Sequence, residues 1–189
     1  ELDDWQMVLY IKGVAGSGKS TLLRLFSEIY QIIDVGYISD DTETTFVDQH
    51  LIDSLVVFAL DITERFKLSS SRFNSYASGE EVLISRKYKT AITKKWTAPL
   101  CMASNISPPI ATKAGSGARR LCIFTFDQPV TRSDPLLMSK CRKELPLFLI
   151  RCVRQYHEML ERYGHVSLWS NDEILPQQCH LAKDEYLVK

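Results

Sequence analysis

With 189 residues, 45% of them hydrophobic, the chain is long enough to bury the core of one α/β domain. Its 23 Lys and Arg balance 23 Asp and Glu, which excludes a global basic field and leaves any nucleic-acid contact to a local patch. Five cysteines (Cys101, Cys122, Cys141, Cys152, Cys179) lack C-x-x-C spacing and read as buried free thiols; with no apolar run near the ~18 residues that span a bilayer and an acidic start unlike a signal peptide, the expectation is a soluble, intracellular protein with no membrane partner.

In chain order, Met7 to Ile11 reads as a strand, and a helix over Lys19 to Ile33 carries Leu22, Leu23, Leu25, Phe26 and Ile29 on one face. Strands follow at Gly36 to Ser39 and Ser54 to Leu60, then a helical piece around Thr63 to Ser70. Two β-runs flank Lys87-Tyr88-Lys89, and a further strand covers Pro99 to Ala103. Residues 107–118, with two prolines and two glycines, read as a loop. Leu121 to Phe126 is the last strand, and a packing helix runs from about Lys143 to Tyr163 with Gly164 as its stop. Strands alternating with helices predict a three-layer α/β fold with a mostly parallel five-stranded sheet.

Between the first strand and first helix lies Gly13-Val14-Ala15-Gly16-Ser17-Gly18-Lys19-Ser20, followed by Thr21, which fits G-x-x-x-x-G-K-[ST]. Glycines let such a loop turn tightly so that successive N–H groups aim at phosphate oxygens. Lys19 supplies charge to the β and γ phosphates, Ser20 a hydroxyl to Mg²⁺, and the helix start favours a polyanion. Nucleoside triphosphate binding, with ATP and Mg²⁺ as ligands, is therefore expected.

Hydrolysis needs further groups. Leu55 to Leu60 is a buried-looking strand that delivers Asp61 at its C-terminal end, where ligands of open α/β sheets bind, so Asp61 is the second candidate for Mg²⁺. Glu64 is the candidate for polarising the attacking water, with a solvated helix residue as its plainer explanation. Asp40-Asp41 is a rival acid pair, more simply a turn. Asn105, ending the strand Pro99 to Ala103, can hydrogen-bond the γ phosphate or the nucleophilic water. In Val82 to Trp96, five of fifteen residues are Lys or Arg and two are aromatic. Arg86, Lys87, Tyr88 and Lys89 at its centre suit a hairpin tip that grips DNA phosphates and stacks on a base. On these residues alone a nucleotide kinase, a packaging or assembly ATPase and a nucleotide-gated module remain open.

Taken in order, the segments resemble the superfamily 3 helicases, AAA+-type P-loop NTPases of DNA viruses, and most closely the helicase part of primase-helicases of large nucleocytoplasmic DNA viruses. Gly13 to Ser20 matches the first motif, Val35 to Ser39 and Glu43 to Phe46 the following segment, and Leu55 to Glu64 the acidic strand. Ser78 to Lys89 resembles the lead into a DNA-contacting hairpin, Pro99 to Asn105 with Pro108 the sensor motif, and Ala118 to Phe126 the arginine-finger segment. The resemblance implies an ATPase motor domain over residues 1–189 (core 5–130, C-terminal helices in 131–189) excised from a larger protein with a fused primase. It implies a hexameric homo-oligomer that draws single-stranded DNA through its pore in a virus-infected host cell. Arg120, or else Arg119, is then the finger that a neighbouring subunit offers to the transferred phosphoryl group, an interaction worth ~10³ to 10⁵ in rate.

Overall fold

The computed structural model describes residues 4–40, 47–66, 68–107, 117 and 120–165. Along them run β1 (Val8–Gly13), α1 (Lys19–Ser27), β2 (Val35–Tyr37), α2 (Val47–Leu51), β3 (Val56–Ile62), α3 (Ser70–Ser78), β4 (Glu81–Arg86), β5 (Lys89–Lys95), β6 (Leu100–Ser104), β7 (Leu121–Phe126) and α4 (Leu137–Tyr163). Five strands form a sheet in the order β2-β3-β6-β1-β7, every pair parallel. Strands β4 and β5 form a separate antiparallel hairpin.

A parallel sheet has both faces covered, so its strands are apolar on both. Val8, Tyr10, Val57, Ala59, Leu100, Met102, Leu121 and Ile123 point to one face, where they meet Phe73, Tyr76 and Trp96 from α3 and the hairpin base. Their neighbours Ile11, Phe58 and Ala103 point to the other, against Leu22, Leu23 and Phe26 of α1. The alternation fails once, at the end of β3. Ala59 and Ile62 share a face although they are three residues apart, because the register with β6 shifts between them. Asp61 sits inside that irregularity, and bulges of this kind re-aim side chains beside functional sites.

The expected α/β architecture and its five parallel strands are present, and β7 has the predicted bounds. Several elements differ. The first helix stops at Ser27 instead of Ile33: Glu28, Ile29 and Tyr30 donate back only three residues, tightening the last turn, and Ile32 and Ile33 are 92% and 82% exposed on a short 3-10 turn. Residues 63–66 form a turn in place of the predicted helix, because the Asp40 carboxylate accepts the N–H and hydroxyl of Thr63. The helix comes later, where Ser69 caps α3 by accepting the Arg72 N–H at 3.2 Å. The predicted packing helix is longer than expected, contains Pro146, and has no fully buried residue. Among the described residues it is the one helix after β7. Among the described cysteines, Cys122 and Cys141 are half-buried and Cys152 is exposed, while Cys101 is half-buried as a residue with its thiol largely desolvated. Cys179 lies outside the described residues.

Candidate active site and hairpin

The chain leaves β1 toward β2 on one side, returns through β3 and β6, and then passes over β1 to β7. Strand β1 therefore stands at the point where the winding reverses, and ligands of open α/β sheets bind at the C-terminal ends of such strands. There β3, β6 and β1 lie side by side. Asp61 is near the end of β3, Asn105 follows the Lys12–Ser104 pair that ends β6, and residues 14–18 form a loop from β1 to α1.

Two kinds of constraint explain the loop's glycines. A Cβ on Gly13 would stand 2.1 Å from the Phe126 carbonyl oxygen of β7, so this position is small because of the neighbouring strand and not because of an approaching ligand. Gly18 has φ +93°, a conformation that side chains resist, while the space around it is open. The loop is fastened by Val14 N–H to Phe126 O at 3.1 Å and by Val130 N–H to Gly16 O at 3.0 Å. Helix α1 then starts with no side-chain cap and no acid in its first turn. Its leading N–H groups and the positive end of its dipole thus face the loop, which is the electrostatics of an anion site.

Lys19 is buried and bends back over the loop, donating to the Val14 carbonyl at 2.7 Å and to Ser17 Oγ at 3.4 Å. Burial lowers its pKa, and the negative charge of Asp61 opposes that shift. The two side chains are therefore electrostatically coupled. Ser20 ties the start of α1 to β3 by donating from Oγ to the Leu60 carbonyl at 3.0 Å. Asp61 and Glu64 are exposed, Glu64 in the turn after β3. Asn105 is also exposed, and its bend is pinned by residues that the sequence did not single out. Ser104 Oγ donates to Ile62 O at 2.6 Å and accepts the Ile106 N–H at 3.1 Å. Tyr10 donates from its hydroxyl to Ile106 O at 3.0 Å, and Lys12 Nζ to Ser107 Oγ at 2.9 Å. These are ordinary strand residues by type, so no local signal marked them.

Arg120 does not occupy an exposed position. It precedes Leu121, which pairs with Val8, and so lies at the end of the sheet opposite the glycine loop. The side chain is buried and donates from Nη1 to Ser78 Oγ at 2.7 Å and to Gln6 Oε1 at 3.2 Å. An arginine turned into its own chain cannot extend to a neighbour in this conformation. Arg119, Asp41, Pro108 and residues 43–46 lie outside the described residues.

The hairpin has the expected form. Arg86 pairs with Lys89 across a tip made of Lys87 and Tyr88, and Tyr88 is 94% exposed with φ +59°, rare for a bulky residue. Lys87 Nζ lies 5.5 Å from the Tyr88 ring centroid. Arg86 instead braces the turn, donating from Nε and Nη2 to the Thr90 carbonyl at 3.0 and 2.9 Å. Every residue of β5 is exposed, whereas Val82 and Ile84 of β4 are buried, so the hairpin lies on the body by one strand and presents the other to solvent.

The profile of DUF5906, described as a family of unknown function, matches residues 11–120, more than half of the chain. The chain belongs to this family. The DUF5906 match contains the glycine loop, Asp61, the hairpin, Asn105 and Arg120. Among solved structures, an apo form of the NrS-1 C-terminal region superposes with a TM-score of 0.62 at 14% identity, over 98% of this chain and 43% of that one. The A form of the same region gives 0.57 at 16% identity, over 76% of this chain and 35% of that one. A JCV helicase structure aligns at TM-score 0.48 and 16% identity, over 97% of this chain and 51% of that one. The chain thus spans less than half the length of the NrS-1 chains whose fold it shares. Among the described residues no helix is long and apolar enough to cross a membrane.

Proposed function

We propose that this chain is an ATP-hydrolysing motor domain of a DNA helicase or translocase, acting at subunit interfaces of a homo-oligomeric, hexameric ring on single-stranded DNA. The observation that supports the reading is that the loop carrying Lys19 and Ser20 after β1, Asp61 near the end of β3 and Asn105 after β6 lie at the same end of three adjacent parallel strands, beside an uncapped helix start. The superfamily 3 helicase resemblance in the sequence supplies the motor, DNA and ring. In this reading Gly13 to Thr21 hold the triphosphate, Lys19 neutralises its terminal phosphates, and Asn105 orients the attacking water. Asp61, with Ser20, would hold Mg²⁺ directly or through water, and Glu64 is the acid that polarises the attacking water. Lys87, Tyr88 and Lys89 contact DNA, and Arg86 shapes their tip. With Arg120 turned inward, the trans finger falls to Arg119.

The residues fit Mg²⁺. Ser20 Oγ donates to the carbonyl of Leu60, the residue before Asp61 on β3, and in this reading Ser20 Oγ and the Asp61 carboxylate are the two oxygens that would hold the cation. Among the described residues no group of three or more His, Cys, Asp or Glu could hold a metal alone. That suits a cation bound by one or two protein oxygens together with phosphates. When bound, Mg²⁺ would offset negative charge on the phosphates.

The test is ATP hydrolysis measured with and without single-stranded DNA across protein concentration, for the unaltered chain and for Lys19→Ala. Turnover that rises with DNA and with concentration, and disappears in Lys19→Ala, is expected. Hydrolysis that survives Lys19→Ala would remove the basis of the assignment.

A further inference from the structure

We propose that the free edge of β4, where it faces α3, is a docking groove for an extended peptide segment of another protein, held by strand addition.

The pairing register decides which backbone groups are on offer. In an antiparallel ladder alternate residues exchange both hydrogen bonds with the partner strand. Trp96 N–H donates to Glu80 O at 3.0 Å, and from there Glu81 pairs with Lys95, Val82 with Lys94, Leu83 with Thr93 and Ile84 with Ile92. Glu80, Val82 and Ile84 therefore bond across to β5, and the N–H and C=O of Glu81 and Leu83 point away from it. Among the described residues the hairpin has no third strand, and no backbone bond takes up those groups. Val82 and Ile84 bury their side chains in the core, which holds the edge in place.

Sheet edges are ordinarily blunted by charge, lysine above all. Strand β5 follows that rule, with Lys89, Lys94 and Lys95 among seven exposed residues. Strand β4 does not. It has no lysine, its Leu83 is 64% exposed, and beside it lies an open groove of about 670 Å³ whose far wall is Leu68, Ser71, Arg72 and Ser75. That volume is in the range of ligand-binding clefts. Because α3 stands along the edge, an entering strand must be thin. A single extended segment meets this condition, whereas β4 of a second copy would bring its own α3 with it. The edge ends at the register shift between Ile84 and Arg86, short of Lys87 and Tyr88, so an added strand leaves the hairpin tip uncovered.

The walls also select side chains. Leu83 stands on the face of β4 opposite Val82 and asks for an apolar neighbour. Arg72 reaches the buried Asp48 at 3.1 Å and so lies on the other face, near the start of α3, whose first turn has no acid and whose positive end favours a carboxylate. Side chains of an added strand point alternately to these two faces, so the fitting segment alternates apolar and acidic residues.

The experiment titrates the chain with a fluorescein-labelled hexapeptide of alternating valine and aspartate, blocked at both ends, and reads anisotropy. Saturable binding is expected. Two further peptides carry N-methyl groups on the backbone nitrogens of the valines or of the aspartates. One set of nitrogens faces β4 and the other faces away, so one methylated peptide should lose about tenfold or more in affinity while the other stays within about twofold of the parent. Asparagine in place of aspartate should weaken binding about twofold to fivefold. Leu83→Pro removes an outward N–H without taking a bond from the ladder, and should abolish binding with a cooperative melt retained. Equal affinity of the two methylated peptides, or no saturable binding of the parent, overturns the groove. So does a dimer of the chain that Leu83→Pro dissociates, since the edge would then belong to a second copy. No step uses ATP, so these results are independent of the motor reading.

Discussion

On the face of the sheet that carries α2, α3 and the hairpin, Tyr76 and Trp96 are fully buried and stacked on each other; on the opposite face, α4 fully buries none of its 27 residues. The first face is built from large side chains that many elements share. Helix α4 is held outside the α1 cluster by discrete attachments: the Phe148 ring on Phe26, Arg142 to Glu28 at 2.6 Å, and the Trp5 indole N–H to Gly164 O at 3.0 Å. Apolar Leu147, Leu149, Ile150 and Val153 stay exposed along α4. Stability should therefore reside in the hairpin side, while α4 can loosen without unfolding the sheet, because local opening free energy follows buried apolar contact.

The largest test of that contrast is Trp96→Ala. Removing a fully buried indole should cost about 3–5 kcal/mol, a large part of the stability of an ordinary domain. Urea unfolding at neutral pH measures it, and a loss below about 1 kcal/mol would mean that the hairpin base is no keystone.

Arg120 gives the next effect. Buried between Ser78 at the end of α3 and Gln6, it belongs to the same well-packed side. Arg120→Ala should destabilise by about 1.5–3 kcal/mol, the range for hydrogen bonds made by a charged group. A trans finger would behave differently, leaving stability intact and removing only concentration-dependent hydrolysis. Unfolding and ATPase measurements on the same variant separate the two.

What the sequence could reveal follows this division. The glycine loop, β7 and the hairpin are specified by their own residues: a backbone that needs glycine, a strand of alternating side chains, a turn between two β-branched runs. Helix α1 was overextended because Ile29, Ile32 and Ile33 continue an apolar pattern, and periodicity does not report that the chain must turn at Gln31 to enter β2. Helix α2 was invisible, since Val47–Leu51 is too short to show a helical period. The turn at Thr63 depends on Asp40, 23 residues away, and the inward Arg120 on Ser78, 42 residues away. Such partners exist only after folding, so residue type and spacing cannot disclose them. Asp61 and Asn105 were legible as candidates because each follows an apolar strand; their adjacency came from the strand order.

Alkaline pH tests both faces together. Burial, with the Asp48 carboxylate adding to it, holds the Tyr76 phenol above its ordinary value, and burial pushes the Cys101 thiol from 9.0 up to about 12. Both are acids whose protons the fold retains more tightly than the unfolded chain does. The thiol's contribution is complete below its ordinary value and is lost as pH rises toward about 12, and the phenol's is complete below its ordinary value of 10.0 and is lost above it. The melting temperature should therefore hold steady toward pH 9 and decline above it. In Cys101→Ala the decline should begin nearer the ordinary tyrosine value of 10.0, leaving the Tyr76 share. A profile unchanged by Cys101→Ala would assign the effect to the buried phenols, Tyr76 on the hairpin side and Tyr30 on the α1 side, whose value burial also raises.

The smallest effect is expected from Phe148→Ala. The ring is 40% exposed and touches Phe26 with centroids 5.6 Å apart and planes 12° apart, so the substitution removes a stacking contact and part of a hydrophobic surface without opening a closed cavity. A stacked pair contributes about 0.5–1.5 kcal/mol beyond area burial, and partial exposure holds the whole cost near 1 kcal/mol instead of the 3–5 kcal/mol of an enclosed ring. Hydrogen exchange resolves where that loss falls. Amides of α4 should exchange faster in the variant while those of β1, β3 and β6 keep their protection, because the helix would detach from α1 before the sheet opens. Equal acceleration in helix and sheet would show that α4 unfolds only with the core, and the distinction between a packed face and a fastened one would have to be abandoned.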